Sequence, residues 1–214
     1  MRWSQFIGLC LGATIALVVS AQPARAALSD KRVMRRLSPV RPAPGVEISH
    51  FTTHATYTLR PDRKKGGFSV RVMRSLAGLM RCHHTGKRHA ISHRLIEILY
   101  STARHFHSAR LHVIAGYRAP RIAREKGNPR SPHKRGVACD FRLEGVGIEQ
   151  LRDYLRGKHH DIGVGYYPNS GFIHVDVERK KAAYWVDYSG PGQRARYAAT
   201  ETAKATESSD DGAE

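Results

Sequence analysis

The chain contains 214 residues, with 36 lysines and arginines against 18 aspartates and glutamates, and its formal net charge at pH 7 is +18. This length suits one domain of ordinary size, and the chain is long enough to bury a hydrophobic core. The excess of cations favours an anionic partner, although a solvated basic surface without a specific ligand has the same composition.

The first 26 residues have the pattern of a secretory signal peptide. Arg2 precedes an apolar run over residues 6–19, and Ala24 and Ala26 form a small-residue cleavage site. The run is short for a membrane span and a cleavage pattern follows it, so we expect a cleaved signal rather than an uncleaved anchor. The mature protein would then begin near Ala27, be periplasmic or secreted, and carry no membrane span.

The predicted mature chain divides into a linker, one domain and a tail. Residues 27–45 are basic and proline-punctuated, which is typical of a linker, and residues 46–190 form the predicted domain. Residues 191–214 are predicted to be a disordered tail, acidic toward its end, where the last fourteen residues hold five acids and one lysine.

Without the two signal-peptide arginines the net charge of the mature chain is +16. Outside the cytoplasm this charge suits cell-wall polymer, lipid head groups or lipopolysaccharide better than nucleic acid.

Strand and helix patterns alternate along the first half of the domain. Residues 46–60 and 66–74 are predicted to be two strands joined by a turn-rich segment, and the second shows alternating apolar residues, Phe68, Val70 and Val72. A helix is predicted over residues 91–106, capped by Ser92. A short strand that ends at Gly116 follows it.

The second half continues with one helix and a closing pair of strands. The helix is predicted over residues 146–157, with Gly157 as its stop. Two strands are predicted within residues 161–178, around a turn at residues 168–171. This order of elements predicts an α+β fold, with a small antiparallel sheet and flanking helices.

Polar residues alternate with apolar residues in two of the predicted strands. In "GVACDFR", Val137, Cys139 and Phe141 share one face, which leaves Asp140 on the other. In "FIHVDVE", the same alternation places His174 and Asp176 opposite the apolar residues Ile173, Val175 and Val177. If both apolar faces pack on the core, Asp140 and His174 emerge on the open face of the sheet.

His133 completes a set of metal-ligand types. It lies just before the strand of Asp140, and Gly136 permits the turn that would fold it back. Two histidines and one carboxylate match the ligands of a catalytic zinc, whereas a structural zinc would recruit cysteines, and Cys139 faces the wrong way. The alternative is a surface histidine and a solvated aspartate without a metal.

The two cysteines of the mature chain leave their role open. An oxidising compartment permits a disulfide between Cys82 and Cys139, but the sequence does not fix their separation. A nucleophilic cysteine is the other alternative.

Four motifs resemble one known family. "AGYRAP", "SPHKRGVACDF", "GVGYYPNSGFIHVDV" and the later Trp185 are similar to the murein endopeptidase K-like group of the LAS metallopeptidases, which includes the D-Ala-D-Ala carboxypeptidases. The likeness covers about residues 52–185. Its most diagnostic element, S-x-H-x-x-G-x-A-x-D, is intact here.

The resemblance implies a site and a fold. It implies a LAS-type fold and one Zn²⁺ per chain bound by His133, Asp140 and His174, the residues that alternation also indicates. It implies that Arg118 lines the site, where a guanidinium could hold the scissile carbonyl oxygen or a peptide carboxylate. A structural ion pair is the alternative for Arg118.

Further substrate contacts are expected from three residues besides Arg118. These are Tyr117, Ser131 and Tyr166, although Tyr166 and its neighbour Tyr167 could instead pack beneath the turn at residues 168–171.

The chain also departs from the family. Relatives with a better understood base carry an acidic residue at the position of Gly171, and many carry a histidine at the position of Phe172. Asp176 could instead activate the metal-bound water, or orient a ligand histidine, and we favour the second role. After Val177, the sequence ERKKAAYW replaces the family's usual continuation.

The family therefore implies a zinc-dependent murein endopeptidase. The expected substrate is a peptide cross-link of peptidoglycan, cut between diaminopimelate and either D-Ala or another diaminopimelate, by a monomeric enzyme. A non-catalytic peptidoglycan-binding module on the same fold is the alternative. A third hypothesis, a cationic protein that binds nucleic acid or lipopolysaccharide, is supported by the net charge alone.

Overall fold

The structure is a computed structural model and describes residues 44–62, 66–125 and 128–198. The predicted signal peptide, nearly all of the predicted linker and the acidic end of the predicted tail lie outside these residues, so the proposed domain boundaries stay predictions. Within the described parts of the chain, no helix has the length and apolar character that crossing a membrane requires.

The described residues contain seven strands, four α-helices and one 3₁₀ turn. The strands are β1 (Val46–His50), β2 (Thr56–Leu59), β3 (Arg110–Ala115), β4 (Ala138–Leu143), β5 (Gly163–Tyr167), β6 (Phe172–Asp176) and β7 (Ala183–Val186). The helices are α1 (Val70–Leu79), α2 (His93–His105), α3 (Pro120–Glu125) and α4 (Ile148–Lys158), and the 3₁₀ turn is Pro132–Arg135.

All seven strands form one mixed sheet in the order β2-β1-β3-β4-β6-β5-β7. The α+β class is confirmed, but the prediction of a small antiparallel sheet was wrong. β1 pairs with β3 and β5 pairs with β7 in parallel, and the other pairs are antiparallel. The chain between β1 and β3 holds two helices, which is the length of crossover that parallel pairing needs.

The predicted strand at residues 66–74 was also wrong, because a helix begins within it. Ser69 is the N-cap of α1, and its hydroxyl accepts a hydrogen bond from the backbone N–H of Val72 at 3.4 Å. Val70 is 71% exposed in the first turn, so its alternation with its neighbours does not describe a buried face. Helical spacing instead buries three residues, Met73, Leu76 and Leu79.

The two predicted helices are confirmed, with one boundary corrected. α2 begins after Ser92 as predicted, although the Ser92 side chain makes no capping hydrogen bond. α4 continues through Gly157 to Lys158 and ends at His159, so Gly157 is not its stop. The apolar sides of α2 and α4 are buried through residues such as Leu95, Leu99, Leu151 and Leu155.

The helices pack on one face of the sheet and leave the other face open to the site. The predicted apolar face of the two central strands is buried in the core, through Val137, Cys139, Phe141, Ile173, Val175 and Val177. Cys139 and Cys82 are both buried and both have free thiols. Asp140 and His174 therefore share the opposite face of the sheet, as alternation predicts.

Gly136 joins the 3₁₀ turn to β4 in a left-handed conformation with φ of 69°. A Cβ atom at this position would collide with the carbonyl oxygen of Ala90. Gly145 has a similar φ of 73°, but nothing lies within 4 Å of a Cβ there.

We expect Gly136→Ala to destabilise the protein more than Gly145→Ala. Both substitutions carry the left-handed cost of about 1–2 kcal/mol, and overpacking against Ala90 adds roughly 1–3 kcal/mol at position 136. Urea unfolding followed by circular dichroism measures the difference. Equal free energies of unfolding for the two variants would contradict the role of this close approach.

Candidate metal centre

The three predicted ligands converge on the open face of the sheet. Asp140 on β4 and His174 on β6 are direct partners in the strand register, and the 3₁₀ turn brings His133 beside them. The distance from His133 Nε2 to His174 Nδ1 is 3.2 Å, and His133 Nε2 lies 3.2 Å from Asp140 Oδ1. His174 Nδ1 lies 2.7 Å from the same Asp140 oxygen. Three potential donor atoms thus surround one point.

This geometry fits a divalent metal ion. A tetrahedral ion with bonds of about 2.0–2.2 Å holds its donors roughly 3.3–3.6 Å apart. The two separations of 3.2 Å from His133 are close to this spacing, and the 2.7 Å hydrogen-bond distance between His174 and Asp140 would widen when a metal binds. The three side chains are 1%, 3% and 5% exposed, so the donors are shielded from bulk water. Among the described residues, this is the group of histidines, cysteines and acids whose ligand atoms lie close enough to hold a metal. Two imidazoles and one carboxylate leave a fourth position for water or substrate.

Each histidine is oriented by a contact at its other ring nitrogen. His133 Nδ1 donates to the carbonyl oxygen of Gly116 at 2.7 Å, which leaves Nε2 with its lone pair. His174 Nε2 lies 3.2 Å from Asp176 Oδ2, and donation to that carboxylate leaves Nδ1 as the ligand. The contacts therefore direct the two lone pairs toward the same point.

The charges around the cluster stabilise the ionised form of Asp140. Burial, the largest single effect, raises the pKa of this carboxyl, but the interactions with His133, Arg118 and His174 together outweigh burial and hold the pKa well below its usual range. Arg118 Nη2 lies 2.5 Å from Asp140 Oδ2, the oxygen that does not face the histidines. Asp140 is thus an anionic ligand positioned from both sides.

The pKa values of the two histidines are shifted in opposite directions. Burial lowers the pKa of His133, which favours the neutral form that a metal ligand requires. Burial also lowers the pKa of His174, but hydrogen bonds to Asp140 and Asp176 outweigh it, and the pKa is raised. A metal at His174 Nδ1 would therefore compete with a proton for that atom.

Asp176 is held between His174 and Arg179. Arg179 donates to its two carboxylate oxygens at 2.6 and 2.8 Å. Burial raises the pKa of Asp176, but these contacts outweigh it and lower the pKa. Gly163 makes the arrangement possible, because a Cβ atom there would come within 2.5 Å of Arg179 Nε and closer still to Asp176.

A cleft of about 460 Å³ opens over the cluster. Of the predicted substrate contacts, Arg118 and Ser131 line this cleft, and the buried Ser131 hydroxyl has no hydrogen-bond partner among the described residues. Tyr117 does not line it: this residue is 8% exposed and stacks on His89 with ring centroids 4.9 Å apart. Tyr166 does not line it either, and its hydroxyl donates to Glu149 at 2.6 Å.

Aromatic residues that were not among the four predicted substrate contacts line part of the cleft: Tyr167, Phe172 and Trp185. Tyr167 stacks on Phe172 with centroids 4.4 Å apart, and Trp185 donates from Nε1 to the Tyr167 hydroxyl at 3.1 Å. The Trp185 ring lies 5.2 Å from that of His174, and Gly165 leaves it room, since a Cβ there would lie 2.6 Å from the indole. Strand alternation could have identified Tyr167, because it shares the face of His174 and Tyr166 does not.

Comparison with known proteins agrees with this site. The family described as peptidoglycan L,D-endopeptidase MepK matches residues 46–182. The probable peptidoglycan L,D-endopeptidase MepK of Haemophilus influenzae is 36% identical over 119 residues, which cover 52% of this chain and 63% of that protein. The peptidoglycan L,D-endopeptidase MepK of Escherichia coli strain K12 is 37% identical over 71 residues, 30% of this chain and 38% of that protein.

The chain thus spans less than two thirds of the length of these curated relatives. No solved structure matches it. The family match covers well over half of the chain and includes all three residues of the cluster, so the resemblance seen in the motifs is confirmed. The chain belongs to the peptidoglycan L,D-endopeptidase MepK family.

Proposed function

We propose that this protein is a zinc-dependent peptidoglycan endopeptidase that hydrolyses peptide cross-links. The observation that carries the proposal is the convergence of His133, Asp140 and His174 at one buried point in an open cleft. Nitrogen and oxygen donors at tetrahedral spacing favour zinc among the common metals, with one ion per chain. Membership of the MepK family supports the peptidase activity.

The substrate follows from the relatives and from charge. The printed names of the relatives describe peptidoglycan L,D-endopeptidases. We propose that this chain cuts between diaminopimelate and either D-Ala or another diaminopimelate, as a monomer with a LAS-type fold in the periplasm or outside the cell. Peptide stems carry carboxylates, and the net charge of +16 expected for the mature protein attracts them.

In the proposed mechanism, residues of this chain hold the metal ion, stabilise negative charge on the substrate and bind the peptide. His133, Asp140 and His174 would hold a zinc ion, which when bound supplies Lewis acidity and a water with a pKa of about 7. Arg118, which lines the cleft beside Asp140, would stabilise negative charge on the carbonyl oxygen of the scissile amide. The unpartnered Ser131 hydroxyl would donate to the bound peptide.

Asp176 is proposed to orient His174. Its carboxylate contacts His174 Nε2 and accepts hydrogen bonds from Nε and Nη2 of Arg179. The lowered pKa makes Asp176 a weak proton acceptor but keeps it ionised for the hydrogen bond from His174.

A non-catalytic peptidoglycan-binding module remains the second candidate, and one observation favours it. Among the described residues that line the cleft, the carboxylates are Asp140 and Asp176, and both are already engaged. Gly171 supplies no acid, and Phe172 stacks on Tyr167. Such a module would bind zinc and peptide stems without cutting them.

We expect protein purified without its first 26 residues to contain about one zinc per chain and to cut cross-linked muropeptides, with both properties lost in His133→Ala. Metal analysis and chromatography of muropeptide digests, with and without a chelator, measure these properties. His160→Ala, at an exposed histidine outside the cleft lining, is the control and should match the wild type. Zinc without any cleavage would support the binding module, and absence of zinc would contradict both candidates.

Asp176→Asn separates an orienting role from proton transfer. Asparagine can still accept a hydrogen bond from His174 Nε2, so we expect zinc affinity to fall by no more than about tenfold and kcat to stay within about tenfold of wild type. Asp176→Ala removes the acceptor and should weaken zinc binding by about 10–100-fold. A loss of about 10²–10⁴ in kcat for zinc-loaded Asp176→Asn would instead identify Asp176 as the proton acceptor.

A further inference from the structure

A second cavity of about 450 Å³ adjoins the cleft of the candidate metal centre. Four residues line both cavities: Arg118, Asp140, Tyr167 and Phe172. His133 and His174 line the first cavity alone, whereas Phe51 and Arg142 line the second. The metal cluster therefore lies close to the junction of two spaces of similar size. A bond cut at this point could have substrate on both of its sides.

Arg142 lines the second cavity, and no acidic partner for it lies among the described residues. It follows Asp140 by two residues on β4, so it points to the same face of the sheet about 6.5–7 Å further along. Its side chain is exposed, and among the described residues it forms no ion pair. By contrast, the Arg110 guanidinium is bound by Glu47 and Glu144, and that of Arg118 by Asp140.

An aromatic ring supports the Arg142 guanidinium from one side. The guanidinium carbon lies 5.3 Å from the centroid of Phe51, which is 54% exposed, a large fraction for a phenylalanine. Stacking on an aromatic face reduces the freedom of a guanidinium while leaving its N–H groups available in the plane. The pair Phe51–Arg142 thus presents a positioned donor fork to the cavity.

A loop fixed by hydrogen bonds also lines the second cavity. Residues 189–193 line the second cavity, and they are fixed by Asp187, whose carboxylate accepts from the backbone N–H groups of Ser189 and Arg196 at 2.9 Å each. Asn169 Nδ2 also donates to the Tyr188 carbonyl at 2.6 Å. This loop lies beyond residues 46–182, the part that the family matches. The cavity is therefore bounded partly by elements outside the shared family segment.

We propose that the second cavity is a subsite for one of the two peptide limbs of a cross-link, and that Arg142 binds a carboxylate of that limb. The inference rests on the proposed endopeptidase function, because only a substrate that continues on both sides of the cut bond occupies both cavities. A guanidinium pairs with a carboxylate through two parallel N–H···O bonds. Arg142 is thus a specificity residue for carboxylate-bearing stems.

The test compares two substrates on the zinc-loaded protein: a cross-linked muropeptide dimer and the same dimer with its diaminopimelate carboxylates amidated. For Arg142→Gln we expect kcat/KM on the free-carboxylate dimer to fall by about 10–100-fold, mainly through KM. Amidation should cause a similar loss in the wild type and little further loss in Arg142→Gln, since both changes remove one interaction. Zinc content should be unchanged.

Arg74→Gln is the matched control, because it removes the same charge from an exposed residue of α1 outside both cavities. Equal kinetics for the two glutamine variants, or an undiminished effect of amidation in Arg142→Gln, would overturn the subsite while leaving the endopeptidase intact.

If the wild type cuts neither dimer, the proposed function fails and calorimetric binding of the same two dimers decides the subsite. Tighter binding of the free-carboxylate dimer that depends on Arg142 supports it, and equal binding of both dimers overturns it.

Discussion

The pairing of β4 with β6 determines most of what this site can do. Their register places Asp140 opposite His174, and the same register buries Cys139 against Val175 on the other face. Because side chains alternate with a period of two, a slip of one residue would turn the proposed metal ligands into the core and the apolar residues into the cleft. The cost of exposing that core therefore holds the ligands together, before any metal is bound. Stability and site geometry depend on one set of strand contacts.

Around this pairing, a neighbouring group orients each proposed ligand. At one position a glycine, which has no side chain, makes room for such a group. Gly116 provides a carbonyl oxygen for His133, and Arg118, two residues later, contacts Asp140. On the opposite side of the cluster, Asp176 and Arg179 hold His174 where Gly163 has no side chain. Ligands held in this way need little reorganisation when a metal binds, which favours both affinity and a defined fourth position.

Periodicity predicted the parts of the structure that depend on one strand or one helix at a time. The faces of β4 and β6, the ligand set and helices α2 and α4 follow from spacing in the sequence. The parallel pairing of β1 with β3 does not, since partner and direction depend on long-range contacts. Residues 66–74 could not be assigned by alternation, because a helix cap at Ser69 interrupts the pattern. Tyr166 was predicted as a substrate contact, but the strand register places its neighbour Tyr167 on the face of His174.

The charges of the cleft affect whether proton transfer or charge stabilisation would contribute more to hydrolysis. Asp140 shares its carboxylate between the histidines and Arg118, and Asp176 faces Arg179. Carboxylates stabilised by such cations are good hydrogen-bond acceptors and weak bases, so these two residues are better suited to holding ligands than to moving protons. With glycine at position 171, hydrolysis would depend more on charge stabilisation by the metal and by Arg118 than on a strong carboxylate base. The fixed charges of the cleft thus favour a site in which preorganised charge stabilisation supplies most of the rate enhancement.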